Sequence, residues 1–390
     1  MLAKALTGSN RYWGWIVLLL VVIGVGFSCY LWQLKEGLTV TGMSRDVSWG
    51  LYIGQFTFLV GVAASAVMLV LPYYLHNVKE FGRITVLGEF LAVAAIIMCL
   101  LFVIVDLGKP MRLLNMILYP TPNSLLFWDM VVLNGYLLLN IIIGWHVLEA
   151  EYKAVSPPRW LKPLIYLSIP WAVSIHTVTA FLYAGLPGRH YWLTALMAAR
   201  FLASAFASGP ALLILLCYIL KKYAGFDPGR AAVQKLAGIV TYAMIVTVFF
   251  VALELFTAFY SQVPGHGMQS LQYLFVGLEG HRGMVPFMWV FVFLSALALV
   301  LLINPATRAR EKTLLVACGS VFGALWIEKG LGLVIAGFIP NPFERVSEYA
   351  PTLPEVLITL GVWAAGLLVL TVLYRIVVAV KKESALGNEG

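Results

Sequence analysis

The sequence has little charge and few cysteines, and it lacks the short alternating segments of a membrane β-barrel. Only 11% of its 390 residues are charged, whereas 61% are hydrophobic, and the mean hydropathy is +0.91. Soluble domains are about half apolar and about a quarter charged. The composition therefore excludes a soluble protein. The net charge of +8 is explained by membrane topology, as described below, and indicates no nucleic-acid partner.

The four cysteines are scattered, with one in each of four apolar runs and no Cys-x-x-Cys pair: Cys29, Cys99, Cys217 and Cys318. Iron–sulfur clusters need several thiolates at short spacings. We therefore expect no cluster in this chain, and each cysteine is better interpreted as a small core residue.

The histidines are also unsuited to a transmembrane haem. Only His146 and His176 lie in or at the edge of apolar runs. His146 falls at one end of its run, whereas His176 lies about 20 Å along the next one at 1.5 Å per residue. They cannot share an iron, so the remaining alternative is a haem with a single histidine ligand. The prediction is a chain without intrinsic haem, iron–sulfur cluster or metal.

Ten apolar runs are long enough to cross a bilayer, which takes about 20 residues each. Runs of this kind must be helical, because lipid satisfies no backbone polar groups. The first run follows Lys4 and Arg11 as a signal peptide would, but it is too long and lacks a small-residue cleavage site. We predict an all-α, polytopic integral membrane protein forming a single domain over residues 1–390, with spans at 13–34, 50–74, 84–105, 126–147, 163–186, 193–220, 237–260, 285–303, 314–338 and 356–380.

The basic residues predict the orientation of the chain. With ten spans, both termini lie on one side, and most of the 26 lysine and arginine residues fall in the loops and ends of that side. Cytoplasmic loops carry this excess. Both termini are therefore predicted to be cytoplasmic.

Charged side chains inside the predicted spans are unevenly distributed. Ionisable groups in a bilayer are costly, and each is a candidate functional group. On the predicted topology, one set gathers toward the outer face: Asp106, Asp129, His176, Arg200, Glu254, Glu328 and Lys329. Only Glu89, His146 and Glu149 fall on the inner half. The asymmetry predicts a polar site near the outer face.

Glu328 and Lys329 are adjacent in the ninth run, so on a helix they point about 100° apart and do not neutralise each other. Each needs a partner on another helix. Arg200 is the candidate for Glu328, and Glu254 or Asp129 for Lys329. Two interpretations remain open: interhelical ion pairs that fix packing, or a hydrated pocket for a ligand or protons.

Several loop and helix-end motifs add polar and small residues at the outer side. The second run opens with "WGLYIGQFTFLVG", in which Gly50 and Gly54 are spaced for close helix contact and Gln55 adds an amide. "DLGKP" follows the third run, and "GRHYW" joins the fifth to the sixth. Glycine and proline breaks lie mostly at helix ends and no repeat is obvious, which disfavours a transporter built of interrupted inverted repeats.

Together these motifs, with "ASAFASGPALLIL", "FWDMVVLNGYLLLN" and "WIEKGLGLVIAGFIP", resemble the NrfD-like family of polysulfide reductase membrane subunits. Within it, the ten-span length is most similar to the DsrP-type subunits of the Dsr complex associated with sulfite reduction. The resemblance implies two four-helix bundles, here spans two to five and six to nine. It also implies a prokaryotic inner membrane, a quinone site near the outer face and no redox cofactor.

The resemblance further implies partners. Family members dock onto a periplasmic, ferredoxin-like iron–sulfur subunit and pass electrons between its clusters and menaquinone or another quinone. A Dsr-type complex would add cytochrome and further iron–sulfur subunits. Sulfur-compound metabolism is the expected setting.

The site residues expected for this function follow from quinone chemistry, which needs hydrogen bonds at both carbonyls and proton exchange. His176, Asp106 and Arg200 are assigned to the quinone site and proton exchange, and Asp129, Gln55 and Tyr52 to quinone binding beside His176. A proton pathway is assigned to the remaining set: Glu89, Glu254, Glu328 and Lys329. The alternatives are a secondary transporter or ion channel, and a passive membrane anchor.

Overall fold

The computed structural model describes residues 1–261 and 267–387, and within these ranges ten helices are long and apolar enough to cross a membrane. We label them α1 to α10: Asn10–Glu36, Leu51–Leu75, Thr85–Asp106, Leu125–Tyr152, Leu161–Ala184, Leu196–Ala224, Arg230–Tyr260, Val285–Ile303, Glu311–Ala336 and Leu353–Ser384. All ten predicted spans are confirmed. The largest boundary difference is at α7, which begins at Arg230 rather than Ala237, because its polar first turns continue the helix beyond the apolar run.

The core consists of two bundles of four helices, as predicted. In the first, α2 packs on α3, α3 on α4, α4 on α5, and the second half of α2 returns to α5. In the second, α6 packs on α7, α7 on α8, α8 on α9, and α9 closes the ring against α6. Neighbours in sequence are neighbours in space, which is the usual result of short connections.

The two bundles meet where α2 packs against α6 and α9, and α5 against α6. The approach of α2 to α9 is so close that a methyl group on Gly54 would lie 1.9 Å from the carbonyl oxygen of Gly330. Only glycine allows two backbones this near each other. The predicted contact role of Gly54 is confirmed, and it fixes the depth at which the two bundles meet.

The two remaining helices, α1 and α10, pack on each other, and α10 also packs on α3 and α4. At the start of the chain a short helix, Leu2–Leu6, lies against α10, and Lys4 bonds to Glu383. Both termini are therefore on one face, which we call the terminal face. The other end of the molecule is called the opposite face.

Two helices are irregular in their interior, contrary to the expectation that breaks lie mostly at helix ends. The α-helical hydrogen bonding of α2 is interrupted between Ala63 and Val67. In α9, residues Trp326–Gly332 form a π-helical turn. Such turns appear frequently at functional sites, and irregular backbone at membrane depth occurs only where it is buried in protein or lines a cavity. Both irregularities lie at the junction of the two bundles.

Candidate functional site

A buried ion-pair triad lies inside the second bundle. The Arg200 guanidinium on α6 bonds to the Glu254 carboxylate on α7 and to the Glu328 carboxylate on α9. Arg200 and Glu328 are 5% and 2% exposed. The planar fork of arginine suits two carboxylates at once. The prediction that Arg200 is the partner of Glu328 is therefore confirmed, and Glu254 is a second partner.

Lys329 follows Glu328 in the π-helical turn and points away from the triad. Its ammonium donates to the Ser204 hydroxyl at 3.1 Å and to the Phe201 carbonyl at 3.4 Å, and it lies 4.0 Å from the centre of the Phe201 ring. The prediction that Glu254 or Asp129 pairs with Lys329 is wrong, because Glu254 is bound to Arg200 and Asp129 bonds within the first bundle. Lys329 is held by neutral groups.

His176 on α5 is buried in the first bundle near Lys329, whose charge acts on its ring. Its Nδ1 lies 2.6 Å from the Ala172 carbonyl oxygen. A carbonyl only accepts, so Nδ1 carries a proton and donates it. Nε2 is buried and has no hydrogen-bond partner in the part of the chain that the structure describes. His176, Arg200, Glu254, Glu328 and Lys329 are called the interbundle cluster.

Asp129 on α4 is satisfied by α5. Its carboxylate accepts from the Thr179 hydroxyl at 2.7 Å, and it is 3% exposed. One turn further along α5, the Tyr183 hydroxyl bonds to Thr57 of α2. These contacts join α4, α5 and α2 on the side of the first bundle that faces the second.

Tyr52 and Asp106 belong to a different group, between α1, α2, α3 and the start of α10. The Tyr52 hydroxyl donates to Gln33 Oε1 at 2.7 Å, and Gln33 Nε2 donates to the Val105 carbonyl at 2.6 Å. Asp106 Oδ1 is buried without a hydrogen-bond partner among the described residues. It lies within electrostatic range of the fully buried Glu355 on α10.

Glu355 is itself held by the α1–α2 connection and by the loop before α10. Its carboxylate accepts from the Gly42 N–H at 2.9 Å and from the Tyr349 hydroxyl. Tyr349 also accepts from the Leu51 N–H at 2.8 Å. Burial, and after it the adjacent Glu355 charge, raise the pKa of the Tyr349 hydroxyl, so this group stays neutral and donates. Gln33, Tyr52, Asp106, Tyr349 and Glu355 are called the α10 polar cluster.

Three members of the α10 polar cluster were missed by sequence reasoning: Gln33, Tyr349 and Glu355. A signal did exist for Glu355, which directly precedes the predicted tenth span, and for Gln33, a polar residue inside the first span. Both positions lie at the ends of predicted spans, where polar residues normally face water. In the structure they are buried, because α1 and α10 cover this part of α2 and α3.

Gln55 is fixed by two tryptophans from other helices. Its Oε1 accepts from Trp326 Nε1 of α9 at 2.8 Å and from Trp363 Nε1 of α10 at 3.0 Å. Two indole donors on one oxygen determine which end of the amide is the carbonyl. Gln55 Nε2 is buried and has no partner within the described ranges. The clamp therefore leaves an oriented amide donor in the interior.

Glu89 on α3 stands apart from both clusters. It is 1% exposed, and neither carboxyl oxygen has a hydrogen-bond partner among residues 1–261 and 267–387. A methyl group on Gly144 of α4 would lie 3.1 Å from its Oε2. The Lys381 charge on α10 acts on it from a distance, but Lys381 bonds to Glu151 at 2.8 Å.

The opposite face carries a cavity of about 330 Å³ where the α5–α6 loop meets the start of α2 and the end of α9. Trp49 and Trp192 stack there, with ring centres 5.6 Å apart. The Arg189 guanidinium lies 4.4 Å from the Phe338 ring. The "GRHYW" motif thus contributes Gly188 and the positively charged Arg189 to this opening, whose aromatic lining is Trp49 and Phe338.

The predicted site residues therefore do not form one chamber. The interbundle cluster brings five of them together, Tyr52 and Asp106 lie in the α10 polar cluster, and Asp129, Gln55 and Glu89 have separate surroundings. Among the described residues, no three His, Cys, Asp or Glu side chains come together as a metal site would require.

Comparison with known proteins identifies the family. The family model described as polysulphide reductase, NrfD, matches residues 39–340, which include α2 to α9 and both bundles. This chain belongs to the NrfD family. The matched region contains every predicted site residue.

The relatives are membrane subunits of redox complexes. The chain is 26% identical to a proposed dimethyl sulfoxide reductase membrane subunit of Halobacterium salinarum, over 91% of this chain and 89% of that one. It is 24% identical to the Hdr-like menaquinol oxidoreductase integral membrane subunit of Archaeoglobus fulgidus, over 84% and 80%. It is 22% identical to the menaquinone reductase integral membrane subunit of Nitratidesulfovibrio vulgaris, over 97% and 94%. The closer likeness to the DsrP type stays a prediction.

Proposed function

We propose that this NrfD-family protein is the quinone-interacting membrane subunit of a respiratory redox complex. It passes electrons between a menaquinone or other quinone pool and an iron–sulfur subunit docked on the opposite face. On this proposal it lies in a prokaryotic cytoplasmic membrane with the terminal face in the cytoplasm, so that the partner is periplasmic. Its setting is sulfur-compound metabolism, with further cytochrome and iron–sulfur subunits of a Dsr-type complex as partners.

The observation that carries the proposal is the hydrogen bonding of the two ring nitrogens of His176. Its Nδ1 proton is committed to the Ala172 carbonyl, so Nε2 carries no proton in this tautomer. Nε2 is buried and makes no hydrogen bond among the described residues, although the backbone of Val60 on α2 also lies close to the ring. An acceptor of this kind can take the hydroxyl proton of a quinol, and once protonated it can donate to a quinone carbonyl. Histidine is the side chain most often used for such proton transfer, because a ring nitrogen can take up a proton and release it again.

Two names among the relatives support the substrate class. The Archaeoglobus relative is named a menaquinol oxidoreductase subunit and the Nitratidesulfovibrio relative a menaquinone reductase subunit. The two names describe opposite directions of the menaquinone/menaquinol redox couple. This agrees with a site whose direction of turnover is set by the potentials of its partners.

The remaining residues have proposed roles in quinone binding and proton exchange. Arg200 with its two carboxylates sets the electrostatic potential in the interbundle cluster. On the first-bundle side, hydrogen bonds and proton exchange are supplied by Asp129, Asp106 and Tyr52. Gln55 offers its amide hydrogens to a carbonyl oxygen. Protons move by way of the buried acids and the lysine: Glu89, Glu254, Glu328 and Lys329.

The test is His176→Ala in the assembled complex. Removing the acceptor is expected to lower quinol-linked electron transfer by about 100-fold or more, the usual effect of losing a general base, while the subunits still copurify. The control is His146→Ala, which removes a half-exposed histidine at the terminal-face end of α4 and is expected to leave turnover intact. Unchanged turnover in the His176 variant would exclude it from the mechanism.

A transporter is the second candidate, because the interruption of α2 and the π-helical turn of α9 are the kind of broken helices that such proteins use. One pair of measurements distinguishes the two functions. Ion or solute flux through vesicles containing this chain alone would favour transport, whereas quinone-analogue binding without flux would favour the redox role. Failure to bind any quinone analogue would leave the passive anchor.

A further inference from the structure

The connection between α3 and α4 carries an apolar surface that the quinone chemistry does not use. After Pro110, residues Pro110–Leu114 form a 3-10 helix and Asn115–Leu118 one α-helical turn. Five large side chains on this stretch are between 52% and 78% exposed: Met111, Leu114, Ile117, Leu118 and Tyr119. Surface connections normally expose polar groups, and contiguous apolar patches mark interaction sites. Residues 110–119 are called the α3–α4 segment.

The charged residues of the connection are all of one sign. Between Asp106 and Asp129 the only Asp, Glu, Lys or Arg residues are Lys109 and Arg112, and both are exposed. Amphipathic interfacial segments combine basic residues with exposed apolar side chains and bind anionic lipid. The long side chains of lysine and arginine let the charged group reach the headgroups while the methylene groups stay in the apolar layer.

The apolar surface continues onto the membrane-facing side of α4. Leu126, Trp128, Leu138 and Ile141 are all exposed there. Trp128 Nε1 donates to the Pro122 carbonyl at 2.7 Å, which fastens the end of the connection to α4. A cavity of about 410 Å³ lies between the α3–α4 segment and the start of α4, with Met116, Leu126 and Phe127 among its walls.

We propose that the α3–α4 segment lies in the interface of the opposite-face lipid leaflet, with its apolar side chains among phospholipid acyl chains and Lys109 and Arg112 at the headgroup phosphates. Continuity with the lipid-facing side of α4 favours lipid over a protein partner. A subunit docked on the opposite face would meet the cavity rimmed by Arg189 instead. The segment then acts as an in-plane anchor that sets the height of α4, and with it Asp129, in the membrane.

The test uses single nitroxide labels on the full-length protein in lipid nanodiscs. The partly exposed Cys29 is replaced by serine, and the three other cysteines are buried. Labels are placed at Ile117→Cys, at Leu138→Cys as a lipid-facing reference, and at Asp227→Cys as a water-facing reference, since the Asp227 side chain is 71% exposed. Collision of each label with oxygen, which concentrates in lipid, and with a water-soluble nickel chelate is then measured.

The expected result is that the Ile117 label follows the Leu138 label, with high oxygen and low nickel accessibility, before any partner is added. Replacing phosphatidylglycerol by phosphatidylcholine should raise its nickel accessibility, because anionic headgroups are lost. Leu118→Cys repeats the measurement should the first variant fold poorly. A label that collides with nickel as Asp227 does overturns the proposal. Protection that arises only in the assembled complex also overturns it and assigns the surface to a protein partner.

Discussion

The two bundles bury charged groups to a similar degree but satisfy them in different ways. In the second bundle, Arg200 is bonded to Glu254 and Glu328 from two other helices. In the first bundle, Glu89 is equally buried, yet neither of its oxygens has a partner among the described residues. A buried carboxylate without partners is unfavourable in its charged form, so we predict that Glu89 holds a proton. The comparison therefore contrasts a set of paired charges with a buried acid that has no partner among the described residues.

The difference has a mechanistic consequence. The paired charges of the triad hold α6, α7 and α9 together and shape the field at His176, but they exchange protons poorly while the pairs are intact. Glu89, an acid in the terminal-face half of α3 with no hydrogen-bond partner among the described residues, can lose and regain a proton without breaking any bond seen in the structure. The proton roles proposed for Glu254 and Glu328 therefore require the triad to open, whereas the role of Glu89 does not.

Arg200→Ala is expected to have the largest effect, because it removes the cation that pairs the buried acids of the second bundle. It leaves two buried carboxylates facing each other, and removing one partner of a buried ion pair costs about 3–5 kcal/mol. We expect a corresponding loss in the free energy of unfolding, measured by denaturation of the purified protein. Arg200→Lys keeps the charge but not the planar fork. Its free energy of unfolding should therefore lie between that of Arg200→Ala and that of the parent protein. A variant as stable as the parent would mean that the triad is hydrated.

Glu328→Gln tests the same triad with a smaller expected loss of stability. The amide keeps the shape of the side chain but removes a charge-assisted bond to Arg200, which is worth about 1.5–3 kcal/mol. We expect a loss of stability in that range, measured in the same way. If Glu254 compensates fully, no loss will be seen, and the two carboxylates would then have to be treated as interchangeable.

Trp363→Phe tests the two indole hydrogen bonds to Gln55 and should have a smaller effect than either change to the triad. It removes one of two indole donors to Gln55 Oε1 while keeping an aromatic ring, so the expected cost is about 1 kcal/mol. The amide also becomes freer to turn, so quinone-analogue affinity should fall if Gln55 binds the ligand. The control is Trp289→Phe, whose indole donates to the Phe275 carbonyl at 3.1 Å from an exposed position. An equal effect of both changes would argue against a special role for Gln55.

Glu89→Gln should have the smallest effect on stability. If Glu89 is protonated in the folded protein, the neutral amide replaces a group of the same shape and charge, and the free energy of unfolding should change by no more than about 0.5 kcal/mol, as for substitutions that disturb no stabilising feature. The infrared carbonyl band of a protonated carboxyl group should disappear in the same variant. A loss comparable to that of Glu328→Gln, with no change in that band, would show that Glu89 is charged.

The errors in the sequence interpretation concern partners rather than positions. Glu328 and Lys329 were placed on a regular helix, but the turn that carries them is π-helical, and Lys329 bonds to Ser204 instead of a carboxylate. The "EKGLG" stretch contains two glycines, which is a signal for irregular backbone, although it does not reveal the type of turn. The burial of Glu355 could not be predicted either, because it depends on how α1 and α10 cover α2 and α3.

The sequence by itself determined the all-α class, the ten spans and the family, and the resemblance to that family implied the two bundles. Span number is readable because bilayer thickness sets the length of each apolar run, and the family is readable because its motifs are local. Only the tertiary structure decided which charges meet. Arg200 is separated from Glu254 by 54 residues and from Glu328 by 128. Contacts over such distances depend on the rotation and depth of whole helices, which are set by side-chain packing between them and leave no periodic pattern in the chain.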